Sequence, residues 1–201
     1  MNAKNERNLK VFERNGNFVS KNEKKENLNK YTSWKPDGSL ITTVQYRKEK
    51  DETNILFFEK NGLQHYEFLL EKGKSKIHNI EWNSNSEILL VFFTPFLTDK
   101  PIIQLWYRNN YHWYLKQEIK FEQEKEDEIP IFVKFDSESL FLIHSFTNKG
   151  NYFNFNFQWE ISNSIHYLSK NNSSLISVID GKNLLLTPLK YCLIPPPMSC
   201  K

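Results

Sequence analysis

Cysteine is scarce in this chain: two among 201 residues, Cys192 and Cys200. They make neither a disulfide framework nor a zinc signature, which suggests a reducing compartment. Long apolar runs are also missing. The densest, Ile88-Leu-Leu-Val-Phe-Phe93, falls far short of the roughly 20 residues that a membrane-spanning helix requires. The opening Met1-Asn-Ala-Lys-Asn-Glu-Arg7 is polar and lacks the apolar core of a secretory signal. Charge of one sign is not in excess either: 27 Lys and Arg stand against 24 Asp and Glu, a net +3. Bulk charge therefore argues against a strongly basic nucleic-acid binder and against an acidic disordered chain. The expectation is a soluble protein of the cytoplasm or nucleus with no membrane partner. Overlapping sequons at Asn171 and Asn172 read as coincidence in an Asn-rich chain.

Catalytic signatures are missing as well. There is no Gly-x-Gly-x-x-Gly, no phosphate-binding loop and no Gly-x-Ser-x-Gly. The five histidines, His65, His78, His112, His144 and His166, do not stand at metal-ligand spacing. Asp136 and Glu138 could form a hydrolytic carboxylate pair, but turn chemistry explains them more simply. The sequence reads as a non-enzyme, with no catalytic, cofactor-binding or metal-binding residue and no cofactor.

Aromatic residues are abundant: 16 Phe, 9 Tyr and 5 Trp. Rings suit half-buried pleated surfaces, so composition leans towards β-structure. An internal repeat sharpens this. Tyr31-Thr-Ser-Trp34-Lys-Pro-Asp37-Gly38-Ser-Leu40 recurs as Asn79-Ile-Glu-Trp82-Asn-Ser-Asn85-Ser86-Glu-Ile88, then more weakly as Phe132-Val-Lys-Phe135-Asp-Ser-Glu138-Ser-Leu140. A second element, Val11-Phe-Glu-Arg-Asn-Gly16, recurs as Phe57-Phe-Glu-Lys-Asn-Gly62, Leu105-Trp-Tyr-Arg-Asn-Asn110 and faintly Phe157-Gln-Trp-Glu-Ile-Ser162. Both share a drifting period near 50 residues.

One period reads as four short strands. An aromatic strand end meets a tight turn, an apolar strand follows, and a third and fourth strand are joined by Asn61-Gly62 or its equivalent. The unalternated runs around Phe57 and Leu89 should be covered on both faces, as in stacked sheets. No long segment holds a helical period. Four strands per unit of this length mark a β-propeller blade. The expected fold is therefore all-β: a partial, open WD40-like propeller over residues 1–194, with antiparallel four-stranded blades near 30–71, 76–122 and 129–162. Partial blades stand at each end, to about Phe18 and over 173–194, the latter turning at Asp180-Gly181. A plain β-sandwich is the alternative, and the matched offsets weigh against it.

The chain then reads as a fragment opening inside a propeller. Pro195-Pro196-Pro197 is a stiff exit within 195–201 towards a missing second propeller; an SH3-type ligand is the sharper alternative. The charged runs 19–30 and 122–128 read as solvated inter-blade loops, with a docking patch the alternative for each; 46–53 and 71–76 read the same way. Tyr107, Tyr111, Trp113 and Tyr114 beside Arg108 could stack bases, but packing between blades is the simpler account. Trp82 should lie between blades.

The strings Phe57-Phe-Glu-Lys-Asn-Gly-Leu63, Asn110-Tyr-His-Trp-Tyr-Leu-Lys-Gln117, Glu81-Trp-Asn-Ser-Asn-Ser-Glu-Ile-Leu-Leu-Val91, Val178-Ile-Asp-Gly181 and Ile194-Pro-Pro-Pro-Met198 resemble the largest-subunit family of the Elongator complex. The resemblance runs from about Leu9 to Met198. It implies two successive WD40-like propellers followed by a helical solenoid that dimerises, with this chain matching later blades of the first propeller. It implies a non-catalytic scaffold in a complex that modifies the wobble uridine of tRNA at carbon 5; the alternative, which needs only the repeat, is a generic WD-repeat-type protein-interaction propeller of another assembly. The implied partners are a catalytic radical-SAM, acetyltransferase-like subunit and a second propeller subunit. Contact with tRNA would be indirect, and homodimerisation would use regions not in this chain. Departures fall in 122–173: Phe135 stands where Trp is expected, and 151–157 is low in complexity.

Overall fold

The computed structural model describes residues 6–109, 111–121, 128–157 and 175–188. The described residues form strands and turns, without a helix. A short pair joins β1 (Glu6–Arg7) to β4 (Lys25–Glu26), and β2 (Lys10–Phe12) pairs with β3 (Phe18–Lys21). Two complete four-stranded sheets follow. The first runs β5 (Leu28–Trp34), β6 (Ile41–Arg47), β7 (Glu52–Phe58), β8 (Gln64–Lys72); the second runs β9 (Ser75–Trp82), β10 (Ile88–Pro95), β11 (Ile102–Asn109), β12 (His112–Lys120). Each strand pairs antiparallel with its neighbours in chain order. A third sheet contains β13 (Pro130–Phe135), β14 (Leu142–Thr147) and β15 (Tyr152–Asn156), and a hairpin joins β16 (Leu175–Asp180) to β17 (Asn183–Pro188).

The sheets meet along their first strands: β9 lies against β5 on one side and β13 on the other. Side chains stitch this inner region. Trp82 Nε1 donates to Thr42 Oγ1 at 2.8 Å, and Asn79 Nδ2 donates to the Val133 carbonyl at 2.8 Å. Phe135 N–H donates to the Glu81 carboxylate at 3.2 Å. Burial pushes the Glu81 carboxyl above the ordinary carboxylate range, against the downward pull of that bond. The architecture is an open, all-β propeller of antiparallel blades.

The apolar runs resolve into two alternating sets, as pleating requires. On β10, Leu89, Val91 and Phe93 join Ile55, Phe57 and Trp113 in the layer between the first two sheets. Their chain neighbours Ile88, Leu90 and Phe92 join Val133, Phe135 and Ile143 in the layer between the second and third. On β7, Leu56 and Phe58 face a smaller layer with Val11, Leu28 and Ile41. These sheets are thus covered on both faces, as the unalternated runs require.

Several expectations need correction. Residues 19–30 are not a solvated loop. They contain most of β3, all of β4 and the start of β5, and Asn22 and Leu28 are buried at 5% and 2% exposure. The reason is local pairing: Asn22 Oδ1 accepts Leu9 N–H at 2.6 Å, while Asn22 N–H donates to the Leu9 carbonyl at 3.2 Å. The loops expected over 46–53 and 71–76 shrink, because β6 runs to Arg47, β7 starts at Glu52, β8 ends at Lys72 and β9 starts at Ser75. The front hairpin ends at Lys21 rather than Phe18. The third sheet has three strands among the described residues. Most of the faint repeat at 157–162, the acidic run 122–127, His166, the two sequons, both cysteines and the triple proline lie outside the described residues.

The three copies of the aromatic strand end differ. Trp82 is 5% exposed and Phe135 4%, each facing the preceding sheet, whereas Trp34 is 48% exposed. Among the described residues, the two-stranded pairs β1–β4 and β2–β3 precede Trp34, where Trp82 and Phe135 each follow a complete four-stranded sheet.

Candidate functional site

The β5–β6, β7–β8, β9–β10 and β11–β12 turns gather on one face of the two complete sheets, because antiparallel order returns alternate turns to the same side. The β5–β6 and β9–β10 turns are held from within. In the first, Gly38 N–H donates to the Lys35 carbonyl at 2.8 Å, and Asp37 Oδ1 accepts Ser39 N–H at 2.9 Å. Burial pushes the Asp37 carboxyl upward, but hydrogen bonds from Lys35 and Ser39 outweigh it and hold the group down at about 2. In the β9–β10 turn, Asn83 Oδ1 accepts the N–H groups of Glu87 and Ile88 at 3.0 and 2.9 Å. The two turns touch: Asp37 N–H donates to Ser86 Oγ at 3.0 Å.

Two clefts open between these turns, of about 410 and 440 Å3. Arg108 and Leu40 border both. Arg108 is the penultimate residue of β11, and its guanidinium carbon stands 4.0 Å from the Tyr66 ring centre and 5.7 Å from that of Tyr111. Its Nε is buried without a hydrogen-bond partner among the described residues. Lys35 lies 5.6 Å from the Trp82 ring centre and pairs with Asp37 at 2.5 Å. Across the first cleft, His65 Nδ1 stands 3.0 Å from the Glu59 carboxylate.

Of the tyrosines and tryptophan grouped by sequence, most pack. Trp113 is buried and stacks on Phe57 at 4.6 Å, Tyr114 is 2% exposed, and Tyr107 packs against the layer between the second and third sheets. Tyr111 is the exception, 83% exposed at the tip of its turn with φ 61°. Asp136 serves its turn: Oδ1 accepts the N–H groups of Glu138 and Ser139 at 2.8 and 2.6 Å, and Oδ2 meets His144 Nε2 at 2.7 Å. The hydrogen bond from His144, then those from Ser139 and Glu138, hold the Asp136 carboxyl at about 2. The described histidines are engaged singly: His78 with Thr94 at 2.8 Å, His112 with Asp180 at 3.2 Å. Among the described residues no group of three or more His, Cys, Asp or Glu side chains is placed to hold a metal ion.

Two features escaped the sequence. One is Arg108 between two rings, since Tyr66 lies in another repeat. The other is a joint on β12. The Asp180-Gly181 turn sits on its outer edge: Gly181 N–H donates to the Leu115 carbonyl at 2.7 Å, and Asp180 Oδ1 accepts Leu115 N–H at 3.1 Å. Lys116 Nζ adds a bond to the Ile179 carbonyl at 3.0 Å. Burial lowers the Lys116 ammonium against the opposing pull of Asp180.

Comparison with known proteins adds to this geometry. Residues 1–138 match a family described as "ELP1 first N-terminal beta-propeller", and residues 178–201 match one described as "ELP1 N-terminal second beta-propeller". Elongator complex protein 1 of Saccharomyces cerevisiae is 35% identical over 196 residues, covering 96% of this chain and 14% of that protein. The Schizosaccharomyces pombe protein is 34% identical over 193 residues, with 96% and 14% covered, and the Mus musculus protein 31% over 199, with 96% and 15%. The chain thus spans about one seventh of the length of these relatives. Among solved structures, the β-propeller domain of the Trilobed protease from Pyrococcus furiosus superposes with a TM-score of 0.45 at 16% identity, covering 90% of this chain and 62% of that one.

Proposed function

Because the chain belongs to the family of the ELP1 first N-terminal beta-propeller, we propose that it acts as a non-catalytic scaffold segment of the Elongator complex. The observation that carries this reading is the similarity to proteins named Elongator complex protein 1 along 96% of the chain. The stacked sheets suit the role: they present rigid turns to solvent, and rigid elements hold partners in register. In this reading the other subunits, a radical-SAM, acetyltransferase-like catalytic subunit and a second propeller subunit, do the chemistry. The product is tRNA modified at carbon 5 of the wobble uridine, made in the cytoplasm, and contact between this segment and tRNA is indirect.

The test is affinity purification of the full-length parent from its source cells, with mass spectrometry of what remains bound. The expected result is recovery of the Elongator subunits in stoichiometric amounts. Recovery of vesicle-coat or signalling proteins in their place would overturn the reading.

A further inference from the structure

We propose that the paired clefts at Arg108 bind an acidic peptide segment of a partner protein, with one carboxylate seated on the Arg108 guanidinium. The proposal deepens the scaffold reading and rests on it.

The argument starts from charge pairing. Lys35 has Asp37 at 2.5 Å, Glu59 has His65 at 3.0 Å, and Glu87 accepts from Asn85 at 2.7 Å. Arg108 has two aromatic rings and no acid within ion-pair distance among the described residues. A guanidinium stays charged at every physiological pH and presents donors in a planar fork that matches a carboxylate. With Tyr66 and Tyr111 beside it and Nε buried, this fork is held in place before a ligand arrives. Preorganisation of that kind lowers the ordering cost of binding. A charge-assisted, two-pronged bond to a carboxylate is the strong form of such contacts.

The surroundings choose among anions. Asp37, Glu59 and Glu87 rim the same clefts among Lys35, Lys60 and Arg108, so positive charge stands at separate points and makes no continuous stripe for the successive phosphates of a nucleic acid. A single carboxylate needs only one such point. The exposed Tyr111 ring offers apolar contact to the residues flanking it. Lys60 stands on the rim of the first cleft and adds a second positive charge there.

The test uses the full-length protein in its complex and an array of twelve-residue peptides carrying one to three Glu among Leu, Ser and Gly, each with a Gln-substituted counterpart. Glu peptides are expected to bind at least tenfold tighter than their Gln counterparts. Arg108→Gln should abolish that preference, and Arg108→Lys should restore only part of it. Tyr111→Ala, at a site too exposed to matter for folding, should weaken binding several-fold with an unchanged melting temperature. Equal binding of Glu and Gln peptides, no binding at millimolar peptide, or undiminished preference in Arg108→Gln would overturn the proposal. So would displacement of the peptide by an oligo-uridine RNA at equal charge. Recovery of the Elongator subunits by the same variants reports on the scaffold reading separately, so either idea can fail alone.

Discussion

Truncating Trp82 to alanine tests the stacked-sheet architecture at one atom group. The ring is 5% exposed, 6.2 Å from Phe57 and 5.8 Å from Trp113 between centres. Loss of a buried aromatic in such a layer costs about 3–5 kcal/mol. Trp82 Nε1 also donates to Thr42 Oγ1, and Thr42 is fully buried. Stranding that hydroxyl costs about 1–3 kcal/mol, so the total should fall at the upper end of the aromatic range. Trp34→Ala is the internal control: the same motif position, half exposed, with an expected cost below about 1 kcal/mol. Urea unfolding of the full-length protein, followed by far-UV circular dichroism, reads both. With a slope of about 2–3 kcal/mol per molar urea, Trp82→Ala should lower the midpoint of the propeller transition by more than about 1 M. Equal midpoints for the two variants would refute the placement of Trp82 between sheets.

Gly62→Ala should destabilise by roughly 2–4 kcal/mol in the same assay: φ is +89° and the new Cβ would meet the Lys21 carbonyl oxygen at 2.6 Å. Gly38→Ala, at φ +73° with open space around it, should cost only about 1–2 kcal/mol. Asp136, held near 2 chiefly by His144, contributes stability that is present above the ordinary carboxylate range and lost as pH falls through the folded value. Melting temperatures should therefore drop between pH 4 and pH 2 more steeply in the wild type than in Asp136→Asn. Asp180→Ala removes the acceptor for Leu115 N–H. Hydrogen exchange at the Leu115 amide should speed up by at least tenfold, while exchange within β10 stays unchanged.

Much of this fold could be read in the residues. The repeat around Trp34, Trp82 and Phe135 marks strand ends and turns, and the runs at Phe57 and Leu89 announce two covered faces. Burial of each copy was not legible, because it belongs to the neighbour and not the motif: Trp82 follows a complete sheet and Trp34 two-stranded pairs. The polar stretch 19–30 hid three strand segments, since edge pairing there relies on backbone groups and on the Asn22 amide rather than on apolar alternation. The clefts were invisible for a related reason. Tyr66 and Arg108 come together only when two repeats stack, and neither carries a local signal.

Leu89 and Leu90 adjoin in the chain yet serve different layers, and the same holds along β7. A one-residue slip of either strand would exchange one oily face for another, so greasiness alone cannot choose the alignment. The choice passes to the polar minority: the Asn83 amide gripping the start of β10, the indole of Trp82 finding the Thr42 hydroxyl, and Gly62, where a side chain has no room. A handful of hydrogen-bonding and small residues thereby decides how the oily interior lines up.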